Sequence, residues 1–244
     1  MIRRPPRSTQ SRSSAASDVY KRQIIRSLTK GKSISIDKKD TTVALDYGIV
    51  DIENLQIHLF GTPGLRHFKI LRQVLSKGAD GVLFLVDSQD KNSDGEAKGI
   101  WREVEEFLPG VPITVAANKQ DLPGARKVSQ IREDLNIPPD IHIIPTVAKT
   151  GQNVENALRV LLLVTVQKEL TLLKIMDKHD GEVKGIQSLM EDLNIDIRDL
   201  RRHLNWLELR GYVEVDWRTS IFWLTPAIKK VIDQPKLIIK DFTP

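Results

Sequence analysis

Three short apolar runs, GVLFLVD (81–87), PITVAAN (112–118) and IHIIPTV (141–147), each give way to a stretch of helical periodicity. Strands buried on both faces read as continuous apolar runs rather than as an alternation. Strands that alternate with helices imply a mostly parallel sheet with helices covering it. That pattern makes the chain α/β before any other feature is weighed. Upstream, IIRSL (24–28) reads as part of a helix, TKGKSISIDKKD (29–40) as a polar loop, and TTVALDYGIV (41–50) and NLQIHLF (54–60) as two strands joined by a turn around Asp51–Asn54. LRHFKILRQVLSKG (65–78) predicts an amphipathic helix that Gly78 stops.

The pattern changes after a long helix that begins near Asn153. It continues without a Gly/Ser-rich linker into QKELTLLKIMDKHDG (167–181). GIQSLMEDL predicts one helix and IRDLRRHLNWLELRG another, with Ile197, Leu200, Leu204 and Leu207 on one face. YVEV and IFWL then read as a hairpin, and Thr225–Pro226 as the cap of a last helix. Two helices, a hairpin and a terminal helix make a winged helix-turn-helix plan. The pentapeptide EDLNI occurs at 133–137 and 191–195, both at expected helix ends rather than in a repeat.

A net charge of +5 suggests a nucleic-acid partner, but its distribution argues otherwise. Residues 1–23 hold six of the 37 basic side chains and one of the 32 acidic ones, which leaves 31 of each in residues 24–244. As physical chemistry this Ser/Arg-rich leader is a disordered tail, with a transit peptide as an alternative. A third reading is preferred: one permitted codon choice for DVYKRQ, GATGTGTATAAGAGACAG, resembles the mosaic end of a transposon-based sequencing adapter. On that reading the natural protein resumes at Ile24. The absence of cysteine excludes disulfides and thiolate metal sites and makes a reducing cytoplasm the expected setting. The densest apolar stretch, LRVLLLVTV (158–166), is too short to span a membrane.

Chemistry concentrates at the carboxyl ends of the expected strands, where open α/β sheets bind ligands. NKQD (118–121) follows one of them. The Asp121 carboxylate can accept from both the ring N–H and the amino group of guanine, a pair that adenine lacks. A site built on that pairing rejects the wrong base because a polar group is left unpaired. The Lys119 stem can lie along the base, and Asn118 can tie neighbouring loops together. Alone, N-K-x-D also fits a polar turn ahead of a helix. The next strand adds PTVAKTG (145–151), with Ala148 and Lys149 at its carboxyl end.

These two segments, in this order and spacing, resemble the base-recognition motifs of Ras-like small GTPases over residues 24–166, nearest to a prokaryotic Rab/Arf-like branch. The resemblance implies a P-loop NTPase-like three-layer fold, GTP/GDP and Mg²⁺ as ligands, and an effector or GTPase-activating protein as partner. It makes Asn118, Lys119, Asp121, Ala148 and Lys149 the guanine-binding residues, with the backbone N–H of Ala148 on the guanine carbonyl. Thr42, Val43, Asp46 and Tyr47 match T-[IV]-x-x-[DE]-[YF], which gives Thr42 the Mg²⁺ and γ-phosphate role of a switch threonine. HLFGTPGLRHF (58–68) aligns with the second switch, D-x-x-G-Q. Gly64 keeps the γ-phosphate glycine, Gly61 replaces the aspartate, and Leu65 replaces the glutamine that orients water. Weak intrinsic hydrolysis follows, with no catalytic residue assigned.

The phosphate loop G-x-x-x-x-G-K-[ST] does not occur. GKS at 31–33 lacks the first glycine, which would fall at Arg26, and no apolar strand precedes it. The expected fold is therefore α/β without its first strand and phosphate loop, and nucleotide binding is expected to be impaired. The expected division is a leader over 1–23, a GTPase-like domain over 24–166 and a winged helix over 167–240. In the latter, Arg198, Arg201, Arg202 and Asn205 lie off the apolar face and could contact DNA. Residues 180–244 nevertheless carry ten basic and eleven acidic side chains, which leaves DNA regulation with a vestigial GTPase domain, or an interaction scaffold, as alternatives.

Overall fold

The structure is a computed structural model of the chain, and it describes residues 21–30, 33–38, 41–52, 55–62, 69–76 and 78–233. The chain divides into two compact units: Met1–Ile49 with His58–Leu158, and Val50–Ile57 with Arg159–Pro244. One point of division, between Leu158 and Arg159, falls inside a helix.

The first unit opens with a helical segment over residues 21–28 (α1), which takes in the last three residues of the expected leader. Residues 1–20 lie outside the described residues. β1 (Ser33–Lys38), β2 (Thr41–Ile52) and β3 (Leu55–Gly61) form one sheet in that order. β1 corrects the polar loop expected over 29–40. SISI alternates with the two-residue period of a strand, and antiparallel pairing with β2 sets Ser33 opposite Gly48 and Ile36 opposite Leu45. Two glycines let α1 approach this sheet. A Cβ on Gly48 would lie 2.5 Å from Thr29 Cγ2, and one on Gly61 would lie 2.9 Å from Ile25 Cδ1. The buried Asp46 is held from α1 by Arg22, at 3.3 Å.

A second sheet carries the core of this unit. β4 (Val82–Asp87), β5 (Ile113–Asn118) and β6 (His142–Pro145) pair in parallel, with Asp87 level with Asn118. No ladder joins β3 to β4 among the described residues. Every residue of β5 is buried, as expected of a strand covered on both faces. Phe84, Val86, Val115, Ala117, Ile131 and Ile143 form the core, with Trp101 edge-on to Phe84 at 5.1 Å. The accompanying helices are α2 (Lys69–Ser76), α3 (Asp94–Phe107), α4 (Val128–Leu135) and α5 (Val154–Val166).

The second unit contains α6 (Leu170–Lys178), β7 (Glu182–Lys184), α7 (Ile186–Leu193), α8 (Ile197–Glu208), β8 (Val213–Asp216), β9 (Ile221–Leu224) and α9 (Pro226–Asp233). The expected hairpin of β8 and β9 is joined by β7 in a sheet ordered β7–β9–β8. β7 has a single apolar residue, Val183, and so gave no strand signal. Leu173, Met176, Leu189, Leu200, Leu204, Leu207 and Phe222 are fully buried. Ile197 departs from the expected apolar face: it follows the Asp196 cap and stays exposed. The hydroxyl of Thr225 donates to the carbonyls of Gly211 and Tyr212, while its own carbonyl accepts the first turn of α9 from Lys229. Both copies of EDLNI end helices, with Asn136 and Asn194 in the left-handed conformation after α4 and α7.

Candidate functional site

The carboxyl ends of β4, β5 and β6 bring together the residues that the sequence singles out around NKQD and PTVAKTG. Asn118 ends β5 and is buried, and its Oδ1 accepts from the backbone N–H of Ala148 at 2.8 Å. Lys119 turns the chain with a positive φ of 69°, and its Nζ lies 2.5 Å from Asp87 Oδ2 at the end of β4. The loop is held from below as well. Gln120 N–H donates to the Thr146 carbonyl at 3.3 Å, and Ser88 N–H to the Asn118 carbonyl at 2.9 Å.

Two groups remain open toward solvent. Asp121 is exposed, and its carboxylate has no hydrogen-bond or ion-pair partner among the described residues. Lys149 is likewise exposed, and its backbone N–H has no partner there, whereas that of Ala148 is committed to Asn118. The strand ends thus present one carboxylate acceptor and one separate backbone donor without partners among the described residues.

Sequence reasoning missed Arg126. Its side chain is 10% exposed, and it forks onto Asp94 with Nη1–Oδ2 at 2.6 Å and Nη2–Oδ1 at 2.9 Å. It also reaches Asp134 at 3.0 Å and donates to the carbonyls of Asp87 at 2.9 Å and Ser88 at 3.2 Å. The hydrogen bond to Asp94 raises its pKa above the ordinary guanidinium value against the opposing effect of burial. Lys91 first and Arg126 second hold Asp134 below the ordinary carboxylate value. A lone arginine in a polar turn gave no signal, because Asp87, Ser88 and Asp94 lie 32 to 39 residues away and only Asp134 is nearer in sequence.

The switch residues are less completely placed. Thr42 lies in β2, and its side chain is outside the described residues, as are Gly64 and Leu65. Gly61 ends β3 beside Ile25. Among the described residues no group of three or more His, Asp or Glu side chains could hold a metal ion. In the second unit, Arg198, Arg201, Arg202 and Asn205 all stand exposed on α8. Arg202 pairs with Asp199 at 3.2 Å, and Arg201 lies over the Trp217 ring at 5.5 Å. Trp217 also meets Phe222 edge-on, and Trp206 packs near Tyr212 with Arg210 over its ring, so both tryptophans pack against neighbours. Trp223 is half-buried. No helix among the described residues is long and apolar enough to cross a membrane.

The model described as Ras family matches residues 21–167. The chain belongs to the Ras family. It is 30% identical over 143 residues to the mutual gliding-motility protein MglA of Myxococcus xanthus, covering 54% of this chain and 73% of that one. It is 32% identical over 112 residues to the uncharacterized protein MJ1339 of Methanocaldococcus jannaschii, covering 44% and 67%. It is 32% identical over 103 residues to ADP-ribosylation factor-related protein 1 of Rattus norvegicus, covering 41% of this chain and about half of that relative. Residues 168–244 lie outside the family match.

Proposed function

We propose that this Ras-family chain is a guanine-nucleotide-binding regulatory switch, with GTP and GDP as its ligands, whose second unit is a winged helix that relays or receives the nucleotide state. The observation that carries the reading is the strap from Asn118 Oδ1 to the Ala148 N–H, which joins the loops after β5 and β6 while Asp121 stays open. In this reading the Asp121 carboxylate accepts from the guanine N–H and amino group. The Lys149 N–H, and not the committed one of Ala148, donates to the guanine carbonyl. Lys119 lies along the base, and Thr42 and Gly64 attend the phosphates. Mg²⁺ would arrive with the triphosphate, whose oxygens and the Thr42 hydroxyl would hold it; the described residues provide no acidic cluster that could hold it alone.

Leu65 cannot orient water, so intrinsic hydrolysis is weak and a protein partner supplies what is missing. The 244 residues contain no G-x-x-x-x-G-K-[ST], and the sheet of β1–β3 is not laddered to that of β4–β6 among the described residues. Phosphate recognition is therefore poor and affinity rests on the base. Calorimetric titration of the chain with GDP and ADP tests the reading. GDP is expected to bind weakly but at least about tenfold more tightly than ADP, the value of one charge-assisted hydrogen bond. Equal affinities would remove it.

The exposed row of Arg198, Arg201, Arg202 and Asn205 favours a second reading, in which α8 enters a DNA major groove. It requires duplex binding that weakens with salt by several phosphate contacts. A salt-independent or absent interaction leaves the second unit as a protein-interaction module.

A further inference from the structure

We infer that Arg126 is the positioning residue of the base-recognition loop, a role that rests on the nucleotide reading above and adds a residue to it. A guanidinium has five N–H donors in a fixed fork. Here Nε goes to the Ser88 carbonyl, Nη1 to Asp94 and Asp134, and Nη2 to Asp94 and the Asp87 carbonyl. Every donor is engaged within the protein, which leaves none to touch a ligand.

What the fork holds is the frame of the loop. The Ser88 carbonyl also accepts from the Arg126 backbone N–H, while the Ser88 N–H donates to the Asn118 carbonyl. The side chain of Gln120 closes the circuit by donating to Ser88 Oγ at 2.7 Å and to the Arg126 carbonyl at 3.1 Å. The carboxylate of Asp87, whose carbonyl Arg126 holds, pairs with Lys119. Both Lys119 and Gln120 are thus fixed from residues that Arg126 fixes. Asp94 brings in the first turn of α3 and Asp134 the last turn of α4, so the loop is referred to two helices as well as to β4. Lysine cannot reproduce this arrangement, because an ammonium has three donors from one point and no planar fork.

The test is Arg126→Lys in the full chain, read by amide hydrogen exchange without nucleotide. Exchange at Ala148 and Gln120, whose N–H groups bond to Asn118 Oδ1 and the Thr146 carbonyl, is expected to rise about tenfold. Amides of the β5 ladder should stay unchanged. Equal acceleration everywhere, or none at Ala148 and Gln120, would overturn the inference. If the lysine variant does not fold, Asp94→Asn loosens the same fork at constant volume and must show the same selective pattern. Titration with GDP and IDP adds a readout that a purely structural role would not move. IDP lacks the amino group that Asp121 reads, so a displaced loop lowers the GDP-over-IDP ratio by about tenfold, whereas general loosening lowers both affinities equally. If the unsubstituted chain binds neither nucleotide, the nucleotide reading fails while the exchange pattern still decides the positioning role.

Discussion

The two places where polar residues gather are built in opposite ways. At the strand ends of the first unit, Asn118 is held by Ala148 and Ser88, Lys119 by Asp87, and Gln120 by Ser88 and Thr146. On α8 of the second unit, Arg198, Arg201 and Arg202 stand in solvent, with short-range partners on their own helix or on the neighbouring Trp217. In the proposed function the first is a preorganised site, in which recognition need not include the cost of ordering the loop. The second is a decorated surface whose side chains would lose rotamer freedom on meeting any partner. What the second unit has fixed instead is its apolar interior.

That difference can be broken most severely from the interior. Leu204→Ala removes a fully buried side chain from the core of its unit, and is expected to cost about 2–5 kcal/mol. Leu209→Ala, one turn later and 84% exposed, should change stability by less than about 0.5 kcal/mol. Urea unfolding of the two variants measures both. If they cost the same, the helical face assigned to the core is wrong.

A smaller effect belongs to the surface of the same unit. Arg210 lies over the Trp206 ring at 4.0 Å and donates to the Trp206 carbonyl at 3.1 Å. Arg210→Ala should cost about 1 kcal/mol by the same unfolding assay, the sum expected of a half-exposed ring contact and one hydrogen bond. A neutral result would mean that even this ordered arginine is decoration.

Acid separates the two regions in kind. Asp196 is held below the ordinary carboxylate value first by the Asp199 backbone N–H, and Asp216 first by the Thr219 hydroxyl. Asp134 is held down first by Lys91. A depressed folded-state pKa contributes stability that is whole above the unfolded value, near 3.8 here, and is lost as pH falls through the folded one. Both units should therefore weaken below about pH 4. High salt screens an exposed ammonium more than a backbone N–H, so 1 M salt should blunt the acid response of an Asp196→Ala variant further than that of an Asp134→Ala variant. Circular dichroism across pH 2–6 at two salt concentrations would show it.

These contrasts also mark what the sequence could reveal. Local rules found β4, β5 and β6 because burial writes a continuous apolar run, complete in β5 and partial in β4 and β6, and found the helix ends because Asn after a leucine is a stop signal at both copies of EDLNI. β1 was hidden because the charged Asp37 and Lys38 cut short its Ser–Ile alternation, and β7 because a three-residue strand is defined by its partner. NKQD was legible because the proposed base recognition needs particular groups at fixed spacing. Arg126 was not, since its meaning comes from Asp87, Ser88 and Asp94, which the fold alone brings to it.

The mildest change to the protein tests the site most directly. Asp121 is exposed, and its carboxylate supports no other described residue, so Asp121→Ala should leave unfolding within about 0.5 kcal/mol of the parent. Arg126→Lys disturbs the frame and should lower stability together with exchange protection. Asp121→Ala disturbs nothing but the open acceptor, and the preference for GDP over ADP should fall about tenfold or to unity. A preorganised site predicts that separation: the residue that reads the ligand can be removed at no structural cost because others carry the shape. If Asp121→Ala instead destabilises the first unit and leaves the base preference intact, the strand-end loop is a structural turn, and the search for function moves to α8.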